Sequence, residues 1–142
     1  MTVCVDTNTL IQLFGRQAAH HAILNALLSG QLTIALSNEI LFEYREVVTR
    51  MLGPQTWQEL MRALEIMEEL YANVVRAEPQ FRFNVTTADA DDNKFADCAI
   101  VANADFIITE DQHFGALINA GYRPQPITPQ EFIARFLTPP AS

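Results

Sequence analysis

The chain has 142 residues, 49% hydrophobic and 18% charged, with nine Phe and one Trp. That is enough for one domain with its own apolar core, and it excludes a disordered, collagen-like or disulfide-scaffolded chain. Nine basic against seventeen acidic residues give a net charge of −8, which argues against a phosphate-binding surface unless the acids gather where bound cations reverse the local charge.

The first residues, Thr2-Val3-Cys4-Val5, predict a short buried strand, stopped by the polar run Asp6-Thr7-Asn8-Thr9. Leu10, Ile11, Leu13 and Phe14 then suggest a helical turn. Neither a basic leader nor eighteen uninterrupted apolar residues occur, so a cytoplasmic protein with no membrane span is expected. Residues 18–28 have a helical composition, broken by Ser29-Gly30, and Leu32 to Leu36 predicts a second strand. Ser37 can cap the next helix, whose stripe is Ile40, Leu41, Tyr44, Val47, Val48 and Met51 and which Gly53-Pro54 ends.

A third helix from about Gln55 directs Trp57, Leu60, Met61, Leu64, Met67, Leu70 and Tyr71 toward the core and its glutamates mostly outward. Asn73-Val74-Val75 leads into an irregular stretch through Pro79 and Thr87 and then the acidic run Asp89-Ala90-Asp91-Asp92. Residues 93–102 predict a helix, 105–109 a strand running into Glu110-Asp111, and 112–120 a short helix closed by Gly121. Pro126-Ile127-Thr128-Pro129 introduces a final helix through Phe132, Ile133 and Phe136. Residues 138–142 are expected to fray, leaving one domain over 1–137.

Strands alternating with helices imply an α/β fold: a three-layer α/β/α sandwich around a mostly parallel sheet of four to five strands. Ligands in such sheets sit beyond the carboxyl ends of the strands. Asp6 and Asp111 fall at that edge. Cys4 and Cys98 match neither a disulfide framework nor a zinc spacing, and are expected to be free buried thiols. His20, His21 and His113 form no hydrolytic triad spacing and are expected on the surface.

Four separated segments deliver an acid: Asp6, Glu43, Asp92 and Asp111. Asp6 could merely cap a turn, Glu43 could be solvated at the edge of its stripe, and Asp92 could cap a helix. On an ideal helix, Asp92 shares a face with Phe95, Ala96 and Ala99. Asp97 lies away from it and ranks as a second-sphere or second-metal acid, while Asp89 and Asp91 read as loop surface. Taken jointly, scattered carboxylates at one sheet edge suit Mg²⁺ or Mn²⁺, which need hard oxygen ligands and can activate water for phosphodiester hydrolysis. Arg16, Lys94, Arg45 and Arg50 could steer phosphate, or be ordinary solvated cations.

Over nearly its whole length the sequence resembles the PIN-domain nucleases, a family that includes VapC-like toxins. The likeness rests on Val5-Asp6-Thr7-Asn8, on the stretch Leu36 to Val47, on Asp91-Asp92-Asn93-Lys94-Phe95, on Ala104 to Asp111, and on Ile127 to Phe132. It implies that Asp6, Asp92 and Asp111 hold a metal, that Glu43 completes the acidic pocket, and that Asn8 and Thr109 orient carboxylates. It places an acid often found in relatives at Asp97. It also implies an RNA substrate, an antitoxin partner and a homodimer. A haloacid-dehalogenase-type phosphatase wants a second Asp where Asn8 stands, and a receiver domain wants a late Lys, although Lys94 is the only lysine. A non-catalytic interaction module is the remaining rival.

Overall fold

The computed structural model describes residues 1–15, 20–78, 93–121 and 123–137. Five strands form one all-parallel sheet: β1 (Thr2–Val5), β2 (Thr33–Leu36), β3 (Val74–Arg76), β4 (Phe106–Ile108) and β5 (Gln125–Ile127), in the order β3-β2-β1-β4-β5. The chain builds outward from β1 in one direction through β2 and β3, then returns to its other side with β4. The order therefore reverses between β1 and β4, and the crevice beyond their carboxyl ends is where such sheets accept ligands. Val3, Cys4 and Val5 are all fully buried, as are Ala35, Leu36, Ile107 and Ile108. Successive strand side chains point to opposite faces, so burial of consecutive residues means that both faces are covered.

The helices are α1 (Thr7–Leu13), α2 (His21–Leu28), α3 (Asn38–Leu52), α4 (Pro54–Tyr71), α5 (Asn93–Val101), α6 (Ala116–Ala120) and α7 (Pro129–Phe132), with a 3-10 turn at Gln112–Gly115 before α6. Ser37 caps α3 by accepting from the Ile40 N–H at 3.2 Å. Gly53, at φ +97°, ends α3, and Pro54 opens α4 at a position where its missing N–H costs nothing. Gly30 is required twice over: its φ is +81°, and a Cβ there would come within 2.5 Å of the Tyr71 ring. α5 packs against β1, β2, β4 and α3, and buries Phe95 through Ala99 without interruption. Among the described residues no helix is long and apolar enough to cross a membrane.

Several expectations need correction. Val74–Arg76 and Gln125–Ile127 are edge strands, where the sequence pattern suggested a loop approach and a helix lead-in. Pro126 can sit in β5 because that strand pairs on one side only. Leu70 and Tyr71 are 68% and 47% exposed, and Met51 is 59% exposed, so the α3 and α4 stripes end earlier than their spacing suggested. The final helix holds only four α-helical residues before a π-helical turn, Ile133–Leu137, which sets Phe136 against Phe106 and Phe132 at ring-centroid distances of 5.2 and 5.1 Å. His20 is buried, and neither ring nitrogen has a hydrogen-bond partner among the described residues. Cys4 and Cys98 are free and buried. Contact with Cys98 and then burial push the Cys4 thiol well above its ordinary range. The acidic run 89–92, the stretch from Pro79, Arg16 and the 138–142 tail lie outside the described residues.

Asp105 fastens the start of β4 to β1 and to the approach to β5. Its Oδ2 accepts the Thr2 N–H at 2.9 Å, and its Oδ1 meets the Arg123 guanidinium at 2.6 Å. Burial pushes its carboxyl up, but the Thr2 and Arg123 bonds outweigh this and hold it below the usual carboxylate range. A depressed acid stabilises the fold above its unfolded value, about 3.9, and the benefit disappears as pH falls through the lowered folded value. Asp105→Asn should therefore cost up to about 1 kcal/mol at pH 7, since Arg123 is largely solvated, and close to nothing once Asp105 is protonated in both states. Urea unfolding over a descending pH series checks this: the deficit should shrink as the solution is acidified, and a deficit that stays constant overturns it.

Candidate active site

Asp6 stands where β1 turns into α1, and the structure gives its carboxylate two engagements. Its Oδ1 accepts the Thr9 N–H at 2.8 Å, so it caps α1, and its Oδ2 accepts the Thr109 hydroxyl. Thr109 follows β4, and its Oγ1 in turn accepts the Asp111 N–H at 2.9 Å. One hydroxyl thus links the Asp6 carboxylate to the backbone of Asp111 across the point where strand order reverses.

Asp6 is only 6% exposed. Burial raises its carboxyl above the ordinary value, the Thr109 and Thr9 bonds pull it down, and the charge of Asp111 pushes it up again. A carboxylate kept out of water beside a second one is favourable to a cation. Asp111 caps the 3-10 turn: its Oδ1 accepts the His113 N–H at 2.9 Å and lies 3.1 Å from His113 Nδ1. Asp6, Asn8, Thr9, Ile11, Gln12, Met51, Glu110 and Asp111 line one open cleft of about 480 Å³.

The turn that carries Asp6 is gripped by α3 on both sides. The Tyr44 hydroxyl donates to the Val5 carbonyl just before Asp6, and Glu43 accepts the Thr7 hydroxyl just after it. Tyr44 is 1% exposed and packs at 6.3 Å from the Phe95 ring. The other oxygen of Glu43, Oε1, lies 2.9 Å from Lys94 Nζ, at the start of α5.

Of the acids singled out in the sequence, Asp6 and Asp111 line the same cleft and share Thr109, whereas Glu43 reaches Thr7, next to Asp6, and is not part of the cleft lining. Asp97 is buried in α5 at 1% exposure. The helical wheel had set it apart, but a helix covered on nearly every side has no outward face for that distinction. Asn8 is exposed on the cleft wall, and among the described residues it makes no hydrogen bond to an acid. Asp92 lies outside the described residues, and among those described no three His, Cys, Asp or Glu side chains are close enough to cage a metal. Arg45 is exposed and Arg50 sits 3.9 Å from Glu46, so both are solvated cations.

Sequence reasoning missed Gln12, Thr7 and Tyr44. Gln12 follows Asn8 by one helical turn, a spacing that could have flagged it. Its buried Oε1 has no hydrogen-bond partner among the described residues, which leaves an uncommitted oxygen in the cleft wall. Two carboxylates, a spare amide oxygen and an open cleft suit Mg²⁺ or Mn²⁺, which take a few protein oxygens and keep several waters.

A parallel sheet in this order, with acids beyond the carboxyl ends of β1 and β4, defines a class of α/β protein with an acidic crevice. The family model for the PIN domain matches residues 2–113, and the chain belongs to the PIN-domain family. Its fold is similar to that of VapBC2 from Rickettsia felis, solved bound to a DNA fragment from its promoter: TM-score 0.58, 17% identity, 89% of this chain and 99% of that one. FitAcB from Neisseria gonorrhoeae gives 0.58 at 20% identity, covering 89% and 97%. FitAB bound to an IR36 DNA fragment gives 0.57 at 19%, covering 90% and 95%. No curated protein is significantly similar to the chain in sequence.

Proposed function

We propose that this protein is a Mg²⁺- or Mn²⁺-dependent ribonuclease that hydrolyses RNA phosphodiester bonds, acting as the toxin of a toxin–antitoxin pair. The observation that carries the reading is the Thr109 hydroxyl joined to both Asp6 and Asp111 at the strand-order reversal. Family membership supports a nuclease, and the solved neighbours, being toxin–antitoxin complexes, favour a protein antitoxin as partner.

Asp6 and Asp111, with Asp92 from the acidic run, would hold the ion. When bound, it supplies a water acidic enough to attack at neutral pH and offsets charge on the phosphate. The protein's share is placement. Thr109 fixes one oxygen of Asp6 and the backbone of Asp111. Thr9 holds the second oxygen of Asp6, and the α3 grip keeps the turn in register with the sheet. The His113 N–H holds one oxygen of Asp111.

The test is cleavage of an end-labelled single-stranded RNA by purified protein. We expect products with Mn²⁺, none in EDTA, and recovery when Mn²⁺ is returned. Cleavage that persists in EDTA removes the metal mechanism, and intact RNA under all conditions removes the ribonuclease.

A further inference from the structure

Lys94 is the only lysine in the chain, and the fold pairs it with Glu43, whose other oxygen binds Thr7 next to Asp6. Its side chain is 14% exposed, its Nζ lies 2.9 Å from Glu43 Oε1, and it sits 5.9 Å from the Phe95 ring centroid. Glu43 is fully committed: Oε2 takes the Thr7 hydroxyl and Oε1 takes Lys94. An acid whose charge is already met by an ammonium at 2.9 Å draws a metal ion less strongly than Asp6, whose partners are an amide and a hydroxyl. An ammonium has three N–H donors, and Glu43 occupies one.

We infer that Lys94 is a ligand for the substrate phosphate, tethered through Glu43 and Thr7 to the turn that carries Asp6, with Glu43 acting as a positioning residue and not as a metal ligand. The need for such a cation follows from charge. Asp6, Glu110 and Asp111 line the cleft, and one divalent ion leaves their sum negative before a phosphodiester arrives. A tethered ammonium donates to the incoming phosphate from the protein itself. The chain from Lys94 through Glu43 to Thr7 fixes that donor relative to the residue adjoining Asp6.

This inference rests on the nuclease reading, and the test separates the two. Binding of a fluorescein-labelled single-stranded RNA dodecamer is followed by anisotropy in EDTA, where nothing is cut, over a range of salt. Mn²⁺ binding without RNA is measured by calorimetry. Lys94→Met should bind RNA about tenfold more weakly, with its log–log salt slope reduced by about 0.7, the loss of one single-strand phosphate contact. Lys94→Arg should recover most of the affinity. Glu43→Gln should weaken RNA binding in the same direction while keeping Mn²⁺ affinity within about threefold of wild type, and it carries the test if Lys94→Met fails to fold. Wild-type affinity and slope in Lys94→Met overturn the phosphate role. Loss of Mn²⁺ binding in Glu43→Gln overturns the positioning role. A wild-type protein that binds no RNA, with or without Mn²⁺, sinks the nuclease reading and this inference together.

Discussion

Asp6→Asn is expected to reduce RNA cleavage by at least roughly a hundredfold, since changes that merely reorient a metal ligand already cost 10- to 100-fold, and to leave the fold intact. Asn keeps the side-chain oxygen that accepts the Thr9 N–H, so the cap on α1 survives. What disappears is a negative charge that folding has buried. Because the folded carboxyl is raised, the ionised group works against the metal-free fold. That cost is complete above the raised value, falls as pH drops through it, and is gone below the unfolded value of about 3.9. The variant without metal should therefore be as stable as wild type at pH 7, or more so. Saturating Mn²⁺ should reverse the ranking: an ion at a hundred times its Kd adds about 2.7 kcal/mol to a protein that binds it, and little to one lacking Asp6. Thermal unfolding with and without Mn²⁺, beside the cleavage assay, reads both effects. Equal Mn²⁺ stabilisation of the two proteins, or wild-type cleavage by the variant, contradicts the site.

Phe95→Ala should lower stability by about 3–5 kcal/mol, a large part of the 5–15 kcal/mol typical of a domain. The ring is 2% exposed, and it is wedged where α5 meets α3, in tilted contact with Tyr44. Removing it leaves a cavity bounded by sheet and helix, elements with little freedom to collapse inward. Tyr44 is also the residue that holds the Val5 carbonyl, so the loss reaches the turn carrying Asp6. Urea titration, read as a shift in midpoint at constant slope, gives the magnitude. A loss below about 1 kcal/mol would mean that the core refills the space.

The central strands were legible because Val3 to Val5, Ile34 to Leu36 and Phe106 to Ile108 are apolar runs with polar stops, and burial on both faces produces that pattern. β3 and β5 were not, because each is three residues long, has half-buried side chains, and in β5 contains Pro126. Asp6 and Asp111 could be placed at one edge once the strands were parallel. Periodicity cannot supply strand order, and with it the pairing that lets Thr109 reach both acids. The Lys94–Glu43 contact spans 51 residues with no local signature. His20 was misplaced because imidazole suits both surface and core, and the sequence around it carries no clear period.

The double hold of Tyr44 and Glu43 ties α3 to both flanks of Asp6. Their neighbour Phe42 is 69% exposed, while Met51, at the far end of the helix, borders the acidic cleft. One helix thus turns an apolar ring to solvent while its next two residues clasp both flanks of Asp6, so the order of the crevice depends on how firmly α3 is seated.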